Sequence, residues 1–315
     1  MEPELSIIVV IVSDTTDRRA DVSHLASCLA SLAGQVDAPA TETIVPYHDQ
    51  VDGIDDLRRR FPEVRFLPVP DARAPGDQGG GREHHDLLRA RGLGVARGRL
   101  VGLLEDHARA DPTWCAGVVA AHRAGYAAIG GAIENGIDRP LNWAVYFCDF
   151  GRYQNPLPAG ESARASDANV TYKRAALERV RESWEESFRE VLVNGALLAL
   201  GEKVALSPDI IVYQERRGLR LGSALRERFI WGRSYAATRS RQLTAARRWM
   251  LAALSPLLPA VLLARMAGTA RARGRHFGKF LGSLPLTALL VTVWSAGEAV
   301  GYLGGISDRE GGPPA

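Results

Sequence analysis

The apolar positions change period along the chain, and each change marks an element. Ile7–Val12 is an unbroken, β-branched apolar run, which predicts a strand covered on both faces, as in a parallel sheet. Over Val22–Ala33 the apolar residues recur at 22, 25, 29 and 32/33, the spacing of a helix face. Thr43–Val45 and Val64–Val69 predict further short strands, and a helix follows over His84–Ala96. Arg99–Leu104 is an apolar strand that stops at Glu105-Asp106-His107. Asp111-Pro112 opens the next helix, with proline near its first turn. Tyr126–Ile133 predicts one more strand, ending at Glu134-Asn135-Gly136. Residues 71–82, rich in Pro and Gly, and residues 151–166 predict loops. Alternating strands and helices predict an α/β fold with a mostly parallel sheet, whose ligands bind outside the carboxyl ends of the strands. Polar groups gather at those ends: Ser13-Asp14, His48-Asp49, Glu105-Asp106-His107 and Glu134-Asn135.

From about Gly218 the pattern is different. Leu221, Leu225, Phe229 and Ala236 share a helical face ringed by Arg220, Arg226, Arg228, Arg233 and Arg239. Two uncharged runs follow, Trp249–Ala264 and Phe280–Gly297, with Arg265, Arg271, Arg273, Arg275 and Lys279 between them. A 16-residue helix rises only about 24 Å against roughly 30 Å of hydrocarbon. A spanning hairpin would also set this basic linker opposite a cytoplasmic body, against the positive-inside tendency. The pattern therefore favours helices lying on, or re-entering, an anionic membrane surface over two clean spans.

Composition sharpens this division. The 315 residues are 46% hydrophobic and 24% charged, which excludes disordered, collagen-like and disulfide-scaffold classes. The net charge of +3 conceals two unlike parts. Residues 1–215 carry 23 Lys+Arg against 32 Asp+Glu; residues 216–315 carry 16 against 4. Cys28, Cys115 and Cys148 are odd in number and lack metal-ligand spacing, which fits a reducing compartment. Acidic Glu2 and Glu4, with no basic stretch before a short apolar run, do not read as a signal peptide. The basic region alternates with long apolar runs rather than stacking aromatics, so a membrane is the expected partner and nucleic acid is not.

Arg89–Trp114 carries the most specific pattern. Gly92, Ala96 and Gly98 lie in a helix before the apolar strand Val101–Leu104, the acidic Glu105-Asp106-His107 ends that strand, and a proline-bearing helix start follows. This resembles the inverting glycosyltransferases of family 2, with Ala90 where the family helix usually has Asn and Glu-Asp-His in place of Asp-x-Asp. The resemblance extends over most of residues 5–240. It implies a GT-A fold, Rossmann-like with a mostly parallel sheet, over 1–215. A basic, amphipathic and apolar helical membrane-associated region is expected over 216–306, and a disordered tail over 307–315.

It also implies roles. Ser13, Asp14, Asp49, Glu105, Asp106 and Asn169 would contact the nucleotide-sugar, Asn169 being the position that matches an Asn near the diphosphate. Asp106, with His107, would hold a divalent Mg²⁺ or Mn²⁺, whose charge offsets that of the leaving diphosphate. Glu134 and Asn135 would face the acceptor. Trp184-Glu185-Glu186, followed by Gly201 and Pro208, resembles the motif that supplies the base, with Glu185 the choice and Glu186 its near alternative. The usual histidine after the last strand is replaced within Val212-Tyr213-Gln214. The expectation is transfer of a sugar from a nucleotide-sugar, a UDP-sugar being the expected donor, with inversion to a hydroxyl of a lipid-linked or membrane-proximal acceptor, at the cytoplasmic face of the cell membrane. The alternative is a catalytically degenerate GT-A-fold protein serving as a membrane-bound binding or scaffold subunit. His84-His85 lacks further ligands at metal spacing, and Gly79–Gly81 is not followed by the Lys-Ser/Thr of a phosphate loop.

Overall fold

The computed structural model describes residues 2–13, 22–72, 83–240 and 243–304. Asp14, most of the loop expected over 71–82, and the tail expected over 307–315 lie outside the described residues. The chain divides into two compact units. One comprises residues up to Ile137 together with Tyr153–Arg217; the other comprises Asp138–Arg152 and the chain from Gly218 onward.

The first unit is built on one mixed sheet. Strands β1 (Leu5–Val10), β2 (Thr41–Tyr47), β3 (Arg65–Pro68) and β4 (Leu100–Glu105) pair in parallel in the order 3-2-1-4. Helices α1 (Ser23–Ala33), α2 (Ile54–Arg60) and α3 (Glu83–Val95) alternate with these strands. Every residue of β1 and β4 is buried, which is why both are apolar runs, broken by Ser6 and ended by Glu105, rather than alternating ones. Two glycines of the recognised pattern are packing necessities. A Cβ at Gly92 would lie 2.7 Å from Ile8 Cγ2, and one at Gly98 only 2.4 Å from the Ser6 backbone nitrogen. Only glycine lets α3 and the turn after it approach β1 this closely.

Beyond β4 the sheet becomes mixed. β8 (Asn169–Lys173) runs antiparallel to both β4 and β6 (Ala128–Asn135), and β9 (Val204–Gln214) pairs parallel with β6. Two short strands, β5 (Ala108–Ala110) and β7 (Gly160–Glu161), pair antiparallel with β9. α4 (Trp114–Ala121) follows Pro112, as expected. α6 (Arg174–Arg179) and α7 (Glu190–Ala199) join β8 to β9. A core of Leu88, Leu93, Leu103, Tyr172, Leu177, Trp184, Phe188, Val193 and Leu197 holds α3, α6 and α7 on the sheet.

The second unit is helical: α5 (Pro140–Asp149), α8 (Leu221–Ser240), α9 (Ala245–Leu254), α10 (Leu258–Ala272) and α11 (Phe277–Gly304). Here the structure departs from the boundary expected at 215. Residues 138–152 belong with the later helices because Trp143, Tyr146 and Phe147 of α5 pack on Ala270 and Phe280. An ion pair from Arg228 Nη1 to Asp149 Oδ1, 2.6 Å, and one from Lys279 to Asp138 tie the same elements together. α8 and α11 meet backbone to backbone: a Cβ at Gly297 would sit 2.3 Å from the Phe229 carbonyl oxygen. The helical stretches also outrun the uncharged sequence runs. Ala245–Ala272 and Phe277–Gly304 are each 28 residues, long and apolar enough to cross a membrane by length and composition. Flanking basic residues join these helices, so the length argument against spanning no longer holds.

Candidate active site

Of the strand-end groups expected from the sequence, Glu105, Asp106 and His107 meet Ser13, and each has a distinct environment. Asp106, just past β4, is fully buried. Its Oδ1 accepts from the Val12 N–H at 3.0 Å and its Oδ2 from the Ser13 hydroxyl. Asp106 therefore fixes the turn after β1, and through it Ser13, with a bond to each oxygen. His107 lies between two carboxylates, its Nδ1 3.3 Å from Asp106 Oδ1 and its Nε2 3.4 Å from Glu105 Oε2. Burial opposes charge on the imidazole, but the two acids overcome it and carry the His107 pKa up to about 9. For Glu105 and Asp106 burial likewise opposes ionisation, and the hydrogen bonds and charge of His107 carry both below the ordinary carboxylate range. The Ser13 and Val12 donors add to this for Asp106. Gln214, at the end of β9, reaches Glu105 through Nε2 at 3.4 Å.

Arg89 of α3 extends this cluster. Its guanidinium is wholly buried, with Nη2 3.0 Å from Asp167 Oδ2 and 3.6 Å from Glu105 Oε1. Nη1 lies 3.4 Å from Asp86 Oδ1. A permanent cation inside the fold requires such acids, and here three elements supply them. Asp86 and Asp167 also line a cavity of ≈ 270 Å³, together with Arg189, Glu190, Val191 and Leu192 at the start of α7. The Phe188 N–H bonds the Asp86 carbonyl at 3.0 Å, which sets the start of α7 beside that of α3. Burial pushes the Tyr172 phenol well up, with the Glu190 and Asp167 charges adding to it. One guanidinium thus separates the β4 end from a cavity bordered by a glutamate.

A second, larger cavity of ≈ 590 Å³ opens at the ends of β2 and β3, lined by Tyr47, Asp49, Asp52, Gly53 and Pro70 among others. Asp49 is exposed there. His48, His84 and His85 are buried near one another, with ring centroids 6.1 and 3.8 Å apart. Among the described residues, no three His, Cys, Asp or Glu side chains gather as a ready metal site.

Several residues singled out by sequence are placed elsewhere. Asn169 is a core residue: its Oδ1 accepts from Trp114 Nε1, and its Nδ2 donates to the carbonyls of Ala132 and Ile210. With both donor hydrogens and an acceptor engaged at zero exposure, it does not present to a diphosphate. Glu185 and Glu186 are exposed, and Glu185 pairs with Arg181 one helical turn earlier, Oε2 to Nε 3.1 Å. Neither lines the cavity; the buried neighbour Trp184 bonds the Leu177 carbonyl and anchors the segment instead. Asn135 closes its own turn, donating to the Ile137 carbonyl at 2.7 Å. Glu134 is buried at the β6 end and accepts from the Asn155 N–H at 3.0 Å. Glu190 and Arg89 join the site without a strong mark in the sequence. The signal for Arg89 is a cation between Leu88, Ala90 and Leu93 on a buried helix face; the signal for Glu190 is an acid opening an uncharged helix.

A sheet ordered 3-2-1-4 with an antiparallel strand next to β4, and acids at the carboxyl ends, fits the GT-A type of glycosyltransferase fold. A solved structure agrees at the level of fold. The mannosyltransferase PcManGT from Pyrobaculum calidifontis, solved with GDP-Man and Mn²⁺, is similar with a TM-score of 0.51 at 17% identity, over 98% of this chain and 89% of that one. Residues 1–349 of S. aureus TarS, solved with UDP, give a TM-score of 0.49 at 13% identity, over 96% and 92%. No family model matches the chain, and no curated protein matches it.

Proposed function

We propose that this protein transfers a sugar from a nucleotide-sugar donor, most simply a UDP-sugar, with inversion to a hydroxyl of a lipid-linked or membrane-proximal acceptor. The observation that carries the reading is the Glu105–Arg89–Asp167 chain, which couples the strand-end acids to the cavity beside Glu190. The nucleotide would lie over the ends of β1 and β2, against Ser13 and the cavity that includes Asp49. The acceptor hydroxyl would enter the ≈ 270 Å³ cavity, where Glu190 takes its proton as its oxygen attacks the anomeric carbon. The bond from that carbon to the diphosphate breaks, and the nucleoside diphosphate leaves with the electron pair. Attack from the face opposite the leaving group gives inversion.

PcManGT was solved with Mn²⁺, and the residues here fit such an ion in part. Asp106 fits poorly, since it has no exposed surface and its oxygens already face the Val12 N–H, the Ser13 hydroxyl and His107, one of which an ion would have to displace. The Glu105 carboxylate would hold it, with His107 joining only after giving up the proton that Asp106 and Glu105 hold on it, and phosphate and water would complete the shell. Bound there, the ion would offset charge building on the diphosphate. Arg89 places Glu105 with or without it.

A location at the cytoplasmic face of an anionic membrane is supported by the second unit. Trp249, Met250, Leu254 and Leu257 are exposed on helices that also carry Arg247, Arg248, Arg265 and Arg271. A second reading, a membrane-bound binding subunit without turnover, is favoured by the closed His107–Glu105–Asp106 arrangement and by buried Ala90 where the resembled family has Asn. A screen of UDP- and GDP-sugars for thermal protection and diphosphate release separates the readings. Protection with release supports the transferase, protection without release supports the binding subunit, and neither result removes both.

A further inference from the structure

α7 begins at the cavity with Glu190 and then carries no charge to its end at Ala199. Its buried side is Val193, Asn194 and Leu197. Its other side is open: Val191 is 72% exposed, Leu192 55%, Leu198 40%, and Leu200 just past the helix 48%. Gly195 and Ala199 lie on the same face, and a side chain built at Gly195 would meet nothing within 4 Å. Single exposed leucines are ordinary on protein surfaces, but this is a contiguous apolar strip about 15 Å long, notched at Gly195. Val191 and Leu192 belong to both features: they line the cavity with Asp86, Asp167, Arg189 and Glu190, and they start the strip. A ligand that fills the cavity with hydrogen-bonding groups and continues along the strip must be polar at one end and apolar at the other.

We infer that the outer face of α7 seats the apolar chain of an amphiphilic acceptor whose hydroxylated head occupies the cavity at Glu190. This rests on the transferase reading above and gives its acceptor a site on the first unit, separate from the exposed apolar residues of α9 and α10. The shared lining at Val191 and Leu192 sets the register: the head hydroxyl stands at Glu190 and the chain leaves toward Leu198. Each methylene buried along the strip is worth up to about 0.8 kcal/mol, a factor of roughly four in affinity.

The test uses the full chain and alkyl β-D-glucosides below their micellar concentrations. Dodecyl glucoside is expected to bind at least about tenfold more tightly than methyl glucoside, and L192Q/L198Q to lose that preference. These positions are exposed, so the variant keeps its fold, checked by thermal melting. The control W249Q/L257Q, on α9 and after it, is expected to keep the preference. Wild-type protein without chain-length preference, or L192Q/L198Q retaining it, overturns the inference. So does loss of binding to vesicles of 3:1 phosphatidylcholine:phosphatidylglycerol in L192Q/L198Q with the glucoside preference intact, which would give the face to a bilayer. UDP and GDP binding, measured on the same variants, should be unchanged; its absence in wild-type protein sinks the transferase reading but leaves the chain-length result interpretable.

Discussion

Arg89 Nη2 lies 3.0 Å from Asp167 Oδ2, and neither residue is near the other in sequence. The pair joins α3 to the segment before β8, and Glu105 and Asp86 complete the acids around the guanidinium. Removing a buried cation leaves its acids uncompensated, so R89M should destabilise the fold by about 3–5 kcal/mol in urea unfolding. R89K, which keeps the charge but not the fork, should fall between R89M and wild type.

Asn169 bridges Trp114 and the carbonyls of Ala132 and Ile210 inside the sheet. N169A would leave all three unpaired in the core, and should lower stability by about 3 kcal/mol. Nucleotide affinity of the folded variant should match wild type, measured by titration calorimetry below the melting range. A selective loss of nucleotide affinity with stability unchanged would return Asn169 to the diphosphate.

The pH dependence of stability should carry the mark of His107. Its folded pKa of about 9 exceeds the ordinary 6.5, so its contribution is complete below about 6.5 and is lost as pH rises through 9. Glu105 and Asp106 are lowered, so theirs is present above the ordinary carboxylate values and fades as pH falls through the depressed ones. Melting temperature should therefore decline between pH 7 and 9.5 in wild type. In H107Q the decline should be smaller, from a lower starting value.

The half of the sheet from β1 to β4 was legible because strands buried on both faces are continuous apolar runs, and Gly92 and Gly98 were legible because only glycine fits beside β1. β9 was not: Ser207-Pro208 interrupts its apolar pattern where its register with β6 shifts, between Gly131 and Ala132. The boundary expected at 215 separates α5 from the later helices that its aromatic face packs against, contacts more than 100 positions away that periodicity cannot show. In the site, the acids at the β4 end were readable from one segment. Arg89's partners come from three, and Glu190 was hidden by the more conspicuous pair Glu185-Glu186, whose exposure only folding reveals.

The central claim is that Glu190, rather than Glu185, accepts the acceptor's proton. With the donor found by the nucleotide-sugar screen, the turnover of E190Q and E185Q measures this directly. E190Q should lose at least about a hundredfold in kcat with nucleotide affinity kept, and E185Q should turn over near the wild-type rate. Turnover retained in E190Q, or lost in a folded E185Q instead, would contradict it.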